Sequence, residues 1–205
     1  SQGAYYVLRE AIEQYGFSQN SQSVVVHGFG NAGQHIARIL HDEGHRVIAV
    51  SDSKGAICNQ DGLNINQLIA HKDKQGKVDD FSGGSPITHQ DIFMIETDIL
   101  ALAALSNTIT KENANDVKAK LVVELANGPV TSEAENMLLE NGVIILPDVL
   151  ANAGGVTVSY FEWVQNITGE AWDEDRVINN LYQRMKKAFN NLHKLEKQYD
   201  IDLRT

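Results

Sequence analysis

The sequence predicts an α/β protein built as a doubly wound, mostly parallel sheet with helices on both faces. Three observations carry that expectation. Short β-branched or apolar runs alternate with longer amphipathic stretches, the pattern of parallel strands joined by right-handed helical crossovers. The runs are apolar throughout, as strands covered on both faces are. Glycines stand where the amphipathic stretches stop, at Gly16, Gly44 and Gly142, each placed to end a helix in a left-handed turn.

In chain order, an opening helix is expected over about 4–15. Strands are expected over 23–27 and 46–51, with helices over about 32–43 and 64–75 beside them. Further strands are read at 98–102, 121–124 and 143–146. Ser132 with Glu135 reads as a capping box opening a helix over about 131–141. Helices over about 149–166 and 174–198 complete the chain. At the start of the last, Asp173-Glu174-Asp175 places negative charge at a helix N-terminus, where each charge contributes about 0.3–1 kcal/mol. Ser82-Gly83-Gly84-Ser85-Pro86 reads as a flexible loop, too short to link domains.

The bulk properties set limits. At 205 residues and 42% hydrophobic, the chain suits one sizeable domain spanning 1–205. The single cysteine, Cys58, offers no disulfide framework, so a reducing, cytoplasmic setting is expected. A net charge of −10 has the wrong sign for non-specific nucleic-acid binding. No apolar stretch approaches the ~20 residues of a membrane span, and the start lacks a signal-like basic and apolar pattern.

The densest chemical signal is Val24-Val25-Val26-His27-Gly28-Phe29-Gly30-Asn31-Ala32-Gly33. A predicted strand runs into G-x-G-x-x-G, and a predicted helix follows with Ile36, Ala37, Ile39 and Leu40 on one face. In such a Rossmann-like turn, the first glycine allows the bend out of the strand. The second lets a pyrophosphate approach the backbone, and the third lets the helix pack against the sheet. The helix N-terminus then presents N–H groups and about half a positive charge to the phosphates. Asp52 stands at the end of the next predicted strand, nineteen residues past Gly33, where an acid accepts from the adenosine ribose hydroxyls. A 2′-phosphate about 4 Å from that carboxylate would be repelled by roughly 4 kcal/mol per unit charge at an effective dielectric near 20, which favours NAD over NADP. Lys54, Ser51 and Ser53 stand close enough in sequence to offset part of that repulsion, so NADP stays possible.

Beyond the glycine turn, ordered segments resemble the nucleotide-binding domain of the glutamate, leucine, phenylalanine and valine dehydrogenase family, glutamate dehydrogenases above all. They are Gly28-Phe29-Gly30-Asn31-Ala32-Gly33, Val50-Ser51-Asp52-Ser53-Lys54-Gly55 and the run 98–105. Val123-Glu124-Leu125-Ala126-Asn127-Gly128-Pro129, the run 146–156 and Ser159-Tyr160-Phe161-Glu162-Trp163 follow. The resemblance implies that Gly28, Phe29, Gly30, Asn31, Ala32, Gly33, Asp52 and Ser53 hold the cofactor. It implies further that Ala103, Ala104, Asn127 and Asn152 line its nicotinamide end. Asparagine suits that role, offering donor and acceptor together, though it is also a common turn residue. Pro147, Asn152, Gly154 and Gly155 lie beyond a predicted strand end, where ligands of open parallel sheets bind. Val156 and Ser159 match positions facing the substrate side chain, and the serine tilts the reading toward glutamate. The chain departs from the family at Leu102, often proline, and at Leu125, often glycine.

The same resemblance implies hydride transfer between NAD(P) and an amino acid, glutamate first, within a homo-hexamer. A lone domain would be a monomer or weak dimer. No catalytic residue is assigned. A catalytic lysine must be partly desolvated, and Lys72-Asp73-Lys74, Lys118-Ala119-Lys120 and Lys186-Lys187 all read as polar settings. The resemblance implies that the acid/base groups, a lysine and an aspartate, lie in an N-terminal substrate domain outside this chain. Residues 3–10 resemble the start of the family's second domain, and Asp202-Leu203-Arg204-Thr205 the approach to a final helix. A leucine-, phenylalanine- or valine-type dehydrogenase, a nucleotide-sensing module and a methyltransferase remain as other readings. His41-Asp42-Glu43-Gly44-His45 has zinc-like histidine spacing, but Gly44 marks a helix end there, and no metal site is expected.

Overall fold

The computed structural model describes residues 1–18 and 21–204; Thr205, the last of the C-terminal tetrapeptide noted above, lies outside them. Seven strands form one sheet in the order β4-β3-β2-β1-β5-β6-β7. They are β1 (Ser23–His27), β2 (Arg46–Ser51), β3 (Ala56–Cys58), β4 (Ser85–Ile87), β5 (Thr97–Leu102), β6 (Ala119–Glu124) and β7 (Ile144–Leu146). The five strands β2, β1, β5, β6 and β7 run parallel. The strand order reverses between β1 and β5, and the carboxyl ends of those two strands open a crevice.

The five parallel strands are those expected from their apolar runs, with β1 and β2 matching residue for residue. Two strands were not expected. β3 and β4 pair antiparallel and extend the sheet beyond β2. Each is three residues long, too short to show a period. β4 also takes Ser85 and Pro86 out of the segment read as a flexible loop. Proline is tolerated there because β4 is an edge strand, with one side unpaired.

Seven α-helices surround the sheet among the described residues: α1 (Gln2–Gln14), α2 (Asn31–Asp42), α3 (Ile65–Gln75), α4 (Ser132–Glu140), α5 (Asp148–Ala151), α6 (Gly154–Thr168) and α7 (Glu174–Tyr199). The two faces are unequally covered. One core joins Val24, Val26, Ile99 and Val123 of the sheet to Leu8, Ile36, Leu68 and Phe189 of α1, α2, α3 and α7. The other joins Val25, Leu100 and Val122 to Leu138 of α4 and to Ile92, Phe93 and Ala114 in two short 3-10 turns. Alternate residues of each central strand thus feed opposite cores, which is why the runs are apolar throughout.

The helix stops fall as expected: Gly16, Gly44 and Gly142 have φ of 71°, 88° and 78°. Asp173 caps α7 by accepting from the Arg176 N–H at 2.8 Å. The capping box does not form. Thr131, one residue earlier, caps α4 through its hydroxyl, and Glu135 is drawn into an ion pair with Arg204 instead. The helix expected over 149–166 is broken in two at Asn152 and Ala153. The sequence Asn152-Ala153-Gly154-Gly155 holds three poor helix formers. Gly154 is also where α1 crosses, and a Cβ there would stand 2.9 Å from the Gly3 Cα.

Candidate dinucleotide-binding site

The crevice between β1 and β5 is built by close backbone packing. Gly28 follows β1 with φ of 96°, and a Cβ on it would lie 2.6 Å from the Ala104 nitrogen. A Cβ on Gly33 would meet the Gly28 carbonyl oxygen at 1.8 Å. Both positions therefore demand glycine for reasons internal to the chain. Gly30 differs: it has an ordinary extended backbone, and a Cβ there would meet nothing within 4 Å. It caps α2 without a side-chain bond. The first bond of the helix runs from the Gln34 N–H to the Gly30 carbonyl at 2.8 Å. The N–H groups of Asn31, Ala32 and Gly33 precede that bond and have no partner within the helix, as at any helix N-terminus. Phe29 has its ring wholly buried in the core and gives the crevice only backbone.

Asp52 sits at the end of β2 with its side chain 4% exposed. Its two oxygens do different work. Oδ1 accepts from the Lys54 and Gly55 N–H groups at 2.8 and 3.2 Å, making the turn into β3. Oδ2 is buried with no hydrogen-bond donor. The Lys72 ammonium stands 3.0 Å from it, close enough to pair charges, but its aligned hydrogen bond goes to the Phe29 carbonyl at 2.7 Å. Asp52 lines the same cavity as Gly28 and Gly30, and an acid at this strand end suits a ribose hydroxyl, so the residues present fit a dinucleotide.

Lys72 corrects the reading of the lysines as uniformly polar. It lies on α3, with a side chain 19% exposed, and lines a cavity of about 450 Å³ with Gly28, Gly30, Asp52, Ser53 and Ala103. No local motif marked it; only the packing of α3 brings it to Asp52. Lys54 points elsewhere: its ammonium is 3.6 Å from where a Cβ of Gly76 would stand, beside the C-terminus of α3, where a helix carries partial negative charge. His27 also lines this cavity. Its Nδ1 is 2.8 Å from the Ser51 hydroxyl, and its ring lies against Phe93 with centroids 5.1 Å apart. Burial, helped by the nearby His89, lowers its pKa to about 4, so the ring is neutral at physiological pH.

At the other end of the same edge, the structure brings Asn127 and Asn152 together. They come from the loops after β6 and β7, and the Asn152 amide donates to the Asn127 side-chain oxygen at 2.7 Å. Leu125 does not disturb this loop: its φ is not positive, and its side chain packs against the main core. Behind the pair lies a charged cluster that sequence reasoning did not single out. Glu124, 0% exposed, meets the Arg204 guanidinium at 2.5 Å. Burial raises its pKa, opposed by the Asp148 N–H and by Arg204.

Val156 and Ser159 lie on α6 and are exposed, away from the glycine turn. Gly154, expected near a ligand, is instead spent on the crossing with α1. Cys58 is partly rather than fully buried, and burial raises its pKa, as an unreactive thiol requires. In the described residues, no helix is long and apolar enough to cross a membrane.

Comparison with known proteins agrees with this architecture. A glutamate dehydrogenase of Thermotoga maritima is 45% identical over 196 residues, covering 95% of this chain and 47% of that protein. The crystal structure of a hetero-hexameric glutamate dehydrogenase from Thermus thermophilus, in a leucine-bound form, superposes with a TM-score of 0.92 at 29% identity, over 98% of this chain and 48% of that one. A glutamate dehydrogenase from Peptoniphilus asaccharolyticus superposes with a TM-score of 0.84 at 33% identity, over 99% and 47%. The chain thus spans about half the length of these relatives. The family model for Glutamate/Leucine/Phenylalanine/Valine dehydrogenase matches residues 1–205, and the chain belongs to that family.

Proposed function

We propose that this chain is the cofactor-binding part of a glutamate dehydrogenase that deaminates L-glutamate oxidatively to 2-oxoglutarate and ammonia. NAD is the preferred cofactor, with NADP accepted less well. The observation that carries the reading is Gly30. Nothing among the described residues requires glycine there, yet a Cβ would project into open space at the N-terminus of α2, in the cavity that Asp52 also lines.

A bound nicotinamide supplies the hydride acceptor for the substrate's Cα–H. The chain's own residues hold and orient. The Asn31, Ala32 and Gly33 N–H groups bind the pyrophosphate, Asp52 accepts from the adenosine ribose, and Ser53 closes the rim. Ala103 and Ala104 floor the crevice without side chains that would fill it. Asn127 and Asn152 orient the nicotinamide riboside. Lys72 tempers the cofactor preference, because it neutralises part of the Asp52 charge that would repel a 2′-phosphate.

The acid/base groups belong, in this reading, to a substrate domain outside these residues. Supporting it, Val156 is 74% exposed and Trp163 56%, large apolar side chains left exposed on α6. Val156 and Ser159 would face the substrate across the closed cleft, and closure would exclude water. The relative from Thermus thermophilus is named a hetero-hexamer; for this protein a homo-hexamer is proposed, the isolated domain being a monomer or weak dimer without turnover. A cytoplasmic setting fits the lone thiol.

The test is calorimetric titration with NADH and NADPH. Gly30→Val is expected to keep its melting temperature and lose at least about tenfold in NADH affinity, roughly 1.4 kcal/mol. No binding of either cofactor by the wild type, or full affinity in Gly30→Val, would refute the reading. In the complete enzyme, Ser159→Gly is expected to lower glutamate turnover far more than norvaline turnover; equal losses would point to a leucine-type enzyme.

A further inference from the structure

We propose that Arg204 is a positioning residue for the nicotinamide end of the site: it fixes the loops that carry Asn127 and Asn152, and so selects the whole dinucleotide over its adenosine half. The inference rests on the cofactor reading above and extends it to a residue that touches neither asparagine.

The geometry is a fork. The Arg204 guanidinium reaches Glu124 at the end of β6 (2.5 Å), Glu135 on α4 (2.6 Å) and Asp148 at the start of α5 (3.3 Å). Those carboxylates hold backbone in turn. Glu124 Oε2 accepts from the Asp148 N–H at 2.8 Å. Asp148 Oδ2 accepts from the Gly128 N–H at 2.8 Å. Gly128 is the neighbour of Asn127, and Asn152 caps the C-terminus of the short helix that Asp148 opens. One guanidinium therefore ties both asparagine-bearing loops to each other. Among the described residues, Arg204 is the only cation within 4 Å of these three acids. Without it, three carboxylates lose their shared cation, one of them fully buried, and the loops they hold lose their brace.

A planar fork is needed for this, not charge alone. Arginine presents several donors in fixed directions, and a lysine ammonium at the same place serves one or two acids at a time. The adenosine end shares none of these contacts: Asp52, Lys72 and Gly30 are held by β2, α3 and α2.

The test compares NADH with ADP-ribose, which lacks the nicotinamide, on this chain. In Arg204→Gln, NADH affinity is expected to fall about tenfold, as loss of charge-assisted contacts implies, while ADP-ribose affinity changes by less than about twofold. Arg204→Lys is expected to recover part of the NADH preference, and it serves as the measured variant if Arg204→Gln does not fold. A merely structural role would weaken both ligands together or neither, so an unchanged NADH to ADP-ribose ratio in both variants overturns the proposal. If the wild type binds ADP-ribose and NADH equally, the asparagine pair is not a nicotinamide contact and this proposal falls with that assignment, while the pyrophosphate and adenosine contacts stand. If it binds neither, the cofactor reading falls first and takes this one with it.

Discussion

The two ends of the sheet's carboxyl edge are built by different physics. The glycine turn is held by backbone sterics, Gly28 against Ala104 and Gly33 against Gly28, with the Asp52–Lys72 ion pair beside it. The asparagine end is held by charge across long sequence separations, with Arg204 reaching Glu124 80 residues back and Glu135 69 back. Contact sterics fail abruptly when one atom is added. A charge network loosens by degrees and answers to pH. The two ends should therefore break in different ways, and the contrast can be tested at matched positions.

The largest effect is expected where backbone meets backbone. Gly33→Ala places a Cβ 1.8 Å from the Gly28 oxygen, with no flexible side chain to yield. It should cost about 3 kcal/mol or more. Gly128→Ala, at the asparagine end, meets nothing within 4 Å and bears only the strain of φ at 51°. That should cost about 1 kcal/mol. Urea denaturation of the two variants measures both. Equal losses would dissolve the distinction between the ends.

The same contrast explains what the sequence made legible. The glycine turn is local, so Gly28, Gly30, Gly33 and the strand and helix flanking them could be read from a dozen consecutive residues. The five parallel strands were legible because their burial on both faces leaves a continuous apolar run. β3 and β4 were not, because three residues carry no period. Asn127 and Asn152 could be named only through the family resemblance, since by residue type alone they are turn formers. Lys72 and Arg204 left no mark at all. Their partners lie 20 and 80 residues away, and a lysine or arginine beside an acid in sequence looks like solvated surface. The Ser132 and Glu135 pair shows the converse error. A valid local motif lost to a distant competitor when Arg204 took the glutamate.

At the glycine-turn end, His27 should make stability fall with acid. Its folded pKa is about 4 against an ordinary 6.5, with burial the main cause. Between those values the unfolded chain binds more protons, so stability is full above about pH 6.5 and declines as pH drops. At pH 4 the loss from this one group is about 3 kcal/mol. His27→Gln should flatten the stability curve over that window, measured by melting at fixed salt. An unchanged acid limb in the variant would mean that the ring is not the group responsible.

The asparagine end should show the opposite sign. Burial raises the Glu124 pKa, so the folded state holds that proton more tightly than the unfolded chain does. Its contribution to stability is present below the unfolded glutamate value and is lost as pH rises through the folded one. The Arg204 guanidinium and the Asp148 N–H oppose that shift. Glu124→Gln should remove this decline even if it lowers stability throughout by leaving Arg204 underpaired, so the slope is the quantity to compare. An unchanged decline in the variant would mean that Glu124 is not the group responsible. With the His27 result, this would decide whether one edge of one sheet carries two ends that respond to pH in opposite directions.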